Sequence, residues 1–116
     1  NMKTQKEVID ISEIRAKVTE FYDKNIWHFV CINGLYENEM LELQWSFAKI
    51  GAKDEWKIFS AKTNPDDALP TLSDILPTAK MYEGELKDLL GANFEGSVKG
   101  MFIETDGVEN PLRIKR

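Results

Sequence analysis

A chain of 116 residues, 42% hydrophobic and 30% charged, is long enough for one domain with a single core of two packed layers and too apolar to remain disordered. Its net charge of −5 argues against a nucleic-acid partner, whose phosphates are met by clustered Lys and Arg. The single cysteine, Cys31, excludes an internal disulfide and cannot supply the thiolates of an iron–sulfur cluster, and no apolar run approaches the roughly 20 residues that span a bilayer.

Asn1, ahead of Met2, is read as an expression remnant, and residues 1–116 as one domain without internal repeat, linker, low-complexity tract or signal-like segment. Residues 6–11 read as a short extended lead-in. Either Asp10 or Ser12 can cap the helix that follows, and Asp10 would also form a capping box with Glu13 and a staple of Ile9 on Ile14. Ile14, Val18, Phe21 and Tyr22 recur at i, i+4, i+7 and i+8, which predicts a first amphipathic helix ending near Asn25. Residues 27–35, WHFVCINGL, are almost continuously apolar and predict a strand covered on both faces, with Gly34 marking a bulge. Glu37-Asn38-Glu39 is short enough for a hairpin turn. Over 40–50 the alternation of Leu41, Leu43, Trp45 and Phe47 with polar residues predicts a half-buried antiparallel strand. Residues 51–55 form a second turn, residues 56–62 a third strand, and Asn64-Pro65 opens a loop.

The most specific stretch is 70–96. Its proline-punctuated start cannot lie deep in a sheet, and Ala79, Tyr82, Leu86, Leu89 and Leu90 then make one apolar stripe on a second helix. Pro77 suits the first turn, Thr78 offers a capping hydroxyl, and Gly91 stands where a left-handed residue ends a helix. Glu83 is placed to pair with Lys87 at i,i+4, whereas Glu85 and Asp88, on the flank that carries Met81, have no i+4 cation. Beyond this helix, residues 101–103 are a brief apolar run read as a last strand, and Asp106-Gly107 a turn. Two helices and these strands make an α+β two-layer sandwich, with both helices on one face of a small, mainly antiparallel sheet.

Asp74, Ile75, Pro77 and Ala79, followed by Glu83, Glu85, Asp88, Gly91, Phe94 and Gly96 in the spacing E-x-E-x-x-D-x-x-G-x-x-F-x-G, resemble the signature of the 30 kDa subunit family of respiratory NADH dehydrogenase. The small subunit of energy-converting membrane-bound hydrogenases carries a similar pattern. Pro111, Leu112, Arg113 and Lys115 resemble the family's P-L-R-K tail, and the likeness extends over 27–115. Departures are Gly84 in place of the usual arginine between the two glutamates, Lys87 in place of an aromatic, and Ser97-Val98 in place of His-Pro. These place the chain nearer the hydrogenase-type members. The resemblance implies a two-layer fold with a mixed sheet. It also implies a non-catalytic assembly subunit that docks on the large hydrogenase-type or 49 kDa-type subunit of the peripheral electron-transfer arm, on the cytoplasmic side of the cell membrane and without inserting into it. Iron–sulfur, nickel–iron or flavin sites are then expected on partner subunits, and this chain is expected to bind no cofactor or metal and to have no catalytic residue. The expected partner interface comprises Glu83, Glu85, Asp88, Gly91, Phe94, Gly96, Pro111, Leu112 and Arg113.

The residues themselves offer little support for other chemistry. His28 is the only histidine, sits in an apolar strand and lacks a companion at metal-ligand spacing; Cys31, read on the same strand face as Phe29, suits a small buried hydrophobe better than a nucleophile. Glu85 and Asp88, a turn apart, resemble an acid–base pair only in spacing, and carboxylates on an amphipathic helix are usually a solvated face. Asp66 and Asp67 fall short of the oxygen ligands calcium needs and read as turn residues. Trp27, Trp45 and Trp56 read as core, with an interface role for one, and Arg113, Lys115 and Arg116 as a solvated end. Alternatives to the assembly subunit are a small-molecule-binding module or small enzyme with a pocket between helices and sheet, and a self-associating structural protein.

Overall fold

A computed structural model describes residues 3–94. The chain forms β1 (Lys3–Val8), a 3-10 turn (Ile11–Glu13), α1 (Ile14–Phe21), β2 (Trp27–Glu37), β3 (Met40–Lys49), β4 (Glu55–Thr63), β5 (Ala68–Leu69), α2 (Ala79–Leu90) and β6 (Asn93–Phe94). The main sheet has the order β1-β4-β3-β2, antiparallel except for the parallel edge pair β1 and β4; β5 and β6 form a separate parallel pair. This is an α+β sandwich with a mixed sheet. Both helices lie on one face: Phe21 of α1 meets Phe47 and Phe59 edge-on at 5.2 and 5.3 Å, and Tyr82 of α2 meets Phe29 at 5.9 Å.

The β2–β3 hairpin and the alternation along β3 follow the sequence reading. Asn38 and Glu39 both take left-handed φ values, 54° and 62°, which gives a two-residue turn the twist its strands need. Leu41, Leu43, Trp45 and Phe47 are all fully buried on the helix side. At the first helix, Asp10 is the cap: its Oδ1 accepts from Ser12 N–H at 2.9 Å while Glu13 accepts from Asp10 N–H at 3.2 Å. The helix stops at Phe21, short of Asn25. Asp23 takes the next N–H groups, with its side chain accepting from Asn25 and its carbonyl from Ile26 and Trp27, a local alternative to a further helical turn.

Three expectations need correction. The lead-in over 6–11 is instead the strand β1, which begins at Lys3; its polar sequence KTQKEV carries no apolar signal, and backbone pairing to β4 holds it. β2 is buried on one face only. Its register shifts between Phe29 and Cys31, so the buried residues are Phe29 and Ile32, three apart, and Cys31 opposes Ser46 on the other face rather than sharing a face with Phe29. His28 is exposed and Cys31 half-buried. The bulge is therefore at residue 30 and not at Gly34, which keeps its pairing with Leu43. Glycine at 34 lets α2 sit close on β2: a Cβ there would lie 2.7 Å from both Leu86 Cδ2 and Leu90 Cδ1, so one side or the other would have to shift. The strand over 101–103 lies outside the described residues.

Candidate docking face on the second helix

Helix α2 is held by both ends and by one buried acid. At its N-terminal end Thr78 has φ 66°, a left-handed conformation awkward for a β-branched residue, and its hydroxyl donates to the Pro77 carbonyl instead of capping the helix. The expected Thr78 cap is thus absent. At the other end Gly91 has φ 72°, as the sequence predicts; its N–H reaches the Lys87 carbonyl at 2.9 Å, and Ala92 N–H reaches Leu86 at 3.3 Å.

Glu83 does not pair with Lys87 across the helix surface. Its side chain turns inward at 5% exposure, where Oε1 accepts from the Thr71 hydroxyl at 2.6 Å and Oε2 from Leu72 N–H at 2.9 Å. Burial pushes its carboxyl above the usual range, and the Asp74 charge adds to that, while the Thr71 and Leu72 hydrogen bonds pull the other way. A second tie holds the same loop to α1. Arg15 grips Asp74 with two N–H groups at 2.8 and 2.9 Å and donates to the Thr71 carbonyl at 2.7 Å, and this guanidinium holds the Asp74 carboxyl at about 2. The loop between β5 and α2, which carries the buried Leu72 and Leu76, is therefore clamped from both helices.

Neither tie was read from the sequence. Arg15 and Asp74 are 59 residues apart, so only the fold reveals them. Glu83 left a signal, since it falls at i+4 from Ala79 and at i−3 and i−7 from Leu86 and Leu90, in the middle of the buried stripe. Leu89, assigned to that stripe, is instead 43% exposed.

The outward face of α2 carries Met81, Gly84, Glu85 and Asp88 at i, i+3, i+4 and i+7. Met81 is 55% exposed, and Glu85 and Asp88 are exposed. Among the described residues no cation pairs with either acid. Their i±4 neighbours are Met81 and Leu89 for Glu85, and Gly84 and Ala92 for Asp88, while the acids themselves stand as like charges at i,i+3. Among the described residues nothing explains Gly84: a Cβ there would meet none of their atoms within 4 Å, so glycine at mid-helix costs about 1 kcal/mol relative to alanine without relieving a contact with them.

Of the expected interface residues, Glu85 and Asp88 are brought together on this surface. Glu83 is not on it, because it is the internal clamp. Phe94 is buried in β6 at the end of the core and so does not face outward, and Gly91 serves as the helix stop. Gly96, Pro111, Leu112 and Arg113 lie outside the described residues. Among the described residues no cluster of three or more His, Cys, Asp or Glu could hold a metal ion. Between sheet and helices, Trp45, Phe47, Phe59, Leu86 and Leu90 belong to one buried apolar cluster.

Comparison with known proteins settles what kind of chain this is. The family described as the 30 Kd subunit of respiratory-chain NADH dehydrogenase matches residues 7–115. The chain belongs to that family. Its type is accordingly a subunit of an oxidoreductase complex. No curated protein matches the sequence. Among solved structures, a chain of the membrane-bound sulfane sulfur reductase, an archaeal respiratory membrane complex, superposes with a TM-score of 0.77 at 20% identity, covering 97% of this chain and 69% of that one; at this identity the likeness establishes a common fold. No helix among the described residues is long and apolar enough to cross a membrane.

Proposed function

We propose that the chain is a non-catalytic assembly subunit of a membrane-bound oxidoreductase complex, of the energy-converting hydrogenase or NADH:quinone oxidoreductase kind. It docks on the large hydrogenase-type or 49 kDa-type subunit of the peripheral arm, and iron–sulfur, nickel–iron or flavin groups reside on partners and not on this chain. The observation that carries this reading is the family match over residues 7–115. The fold shared with a chain of a respiratory membrane complex is in keeping with it. The exposed pair Glu85 and Asp88 on α2, met by no cation among the described residues, supplies a surface on which a basic patch of the larger subunit fits. Peripheral attachment to the inner face of the cell membrane follows from such docking and requires no membrane-crossing helix of its own.

Affinity capture of the chain from the native membrane fraction, followed by identification of what accompanies it, tests the proposal. Recovery of a large hydrogenase-type or 49 kDa-type subunit is the expected result. A chain recovered alone from the soluble fraction, or one that turns over a substrate unaided, would overturn it.

A further inference from the structure

We infer that a partner segment crosses α2 at Gly84, bringing a basic side chain to Glu85 and Asp88 and an apolar side chain onto the Gly84 backbone beside Met81; this rests on the assembly reading above. Three observations on one helix face meet here. Glycine is, after proline, the residue least suited to a helix interior, yet among the described residues no neighbour occupies the space a side chain at 84 would take. A bare backbone at the middle of an outward face lets another segment approach more closely than any side chain would. Met81, one turn before it and 55% exposed, is a flexible apolar side chain suited to packing on an incoming surface. Glu85 and Asp88 are like charges one turn apart with no cation opposite them among the described residues, whereas several other acids of the chain are answered: Lys57 and Lys17 reach Glu7, Arg15 reaches Asp74, and Lys49 reaches Glu55. The complement of this face is therefore cationic and apolar together. A nucleic acid would be repelled by it, and a purely apolar surface would leave both carboxylates desolvated without a counter-charge.

The test uses the full chain, alone and co-expressed with the subunits that accompany it in capture. Because the space at residue 84 is open, Gly84→Ala is expected to raise the melting temperature of the isolated chain by roughly 4 °C through helix propensity. Gly84→Leu is expected to leave the chain folded while lowering capture of the partner about tenfold or more, and Glu85→Lys with Asp88→Lys to lower it similarly. If Gly84→Leu keeps full capture while the charge reversal abolishes it, the crossing at Gly84 is overturned and docking through α2 survives. If neither variant affects capture from an intact complex, docking through this helix fails as well. Should Gly84→Leu fail to fold, Gly84→Ser serves in its place: loss of capture at unchanged melting temperature supports the crossing, and full capture overturns it.

Discussion

Replacing Gly34 with valine tests the packing that seats α2, and with it the proposed docking face, on the sheet. A Cβ at residue 34 falls 2.7 Å from Leu86 Cδ2 and from Leu90 Cδ1, with Leu43 Cδ2 at 3.5 Å. Both helix leucines are buried, so their methyl groups have little free volume to move into, and overpacking of this kind costs roughly 1–3 kcal/mol. Valine would recover roughly 0.5–1 kcal/mol of the backbone entropy that glycine loses in a strand. Its two Cγ atoms reach further toward the leucines than the Cβ does, which puts the clash at the upper end of the range. The net expectation is a loss of about 2 kcal/mol, or roughly 8 °C in melting temperature for a domain of this size. Leu86→Ala alone should cost about 2–5 kcal/mol as a cavity. In the double variant the valine methyls enter the space Leu86 vacates, so the combined loss should fall short of the sum by about 1 kcal/mol or more. Urea unfolding of the four proteins gives these values. Strict additivity, or an unchanged midpoint for Gly34→Val, would refute the close approach of helix and strand as the reason for this glycine.

The loop clamp makes stability depend on pH in two opposed ways. The raised Glu83 pKa gives a contribution present below the ordinary carboxylate range and lost as pH rises through the raised value, whereas the depressed Asp74 gives one present above the ordinary carboxylate pKa and lost as pH falls toward about 2. Melting curves from pH 3 to 7 should therefore lose their gain on mild acidification in Glu83→Gln, and lose part of their steep acid fall in Asp74→Asn; curves parallel to the wild type in both would count against the clamp. Thr78→Gly relieves a left-handed β-branched residue and should stabilise the chain by about 1 kcal/mol, read as a higher urea midpoint. Glu85→Lys with Asp88→Lys should leave the isolated chain within about 0.5 kcal/mol of the wild type while weakening partner capture, most clearly at low salt, where exposed charges are least screened.

What the sequence revealed and what it hid divide by the range of the interaction. The β3 alternation, the hairpin at Asn38 and Glu39, the Asp10 and Glu13 box and the Gly91 stop are written within a few residues of themselves, and all are found in the fold. The edge strand β1, the parallel pair of β5 and β6 and the Arg15 grip on Asp74 depend on partners tens of residues away, and their sequences carry no apolar period. Intermediate cases failed for a subtler reason. By residue type Gly34 suggests a bulge and Glu83 a surface acid, yet each is explained by where it stands: Gly34 beneath two leucines, Glu83 in line with Ala79, Leu86 and Leu90. At about 100° of rotation per residue, Leu89 lies well off that line and Glu83 lies on it. Position outweighed chemistry, because buried backbone N–H and hydroxyl donors of the loop were there to receive the carboxylate.

The three acids of the α2 motif thus divide into two kinds of work. Glu83 fixes the loop that leads into the helix, and its donors come from its own chain. Glu85 and Asp88 lie on the opposite side of the same helix and accept no such bonds from the described residues, although a lysine within reach would be as easy to encode as the one that meets Glu7. Keeping two like charges a turn apart without a counter-ion is mildly unfavourable in the isolated chain, as is keeping Gly84 between them and the helix start. Both costs fall on one face, and in the proposed docking both are offset by the contacts of a cation and an apolar group arriving together. An assembly subunit needs that difference between its lone and assembled states, since a surface already satisfied by its own residues has nothing to gain from a neighbour.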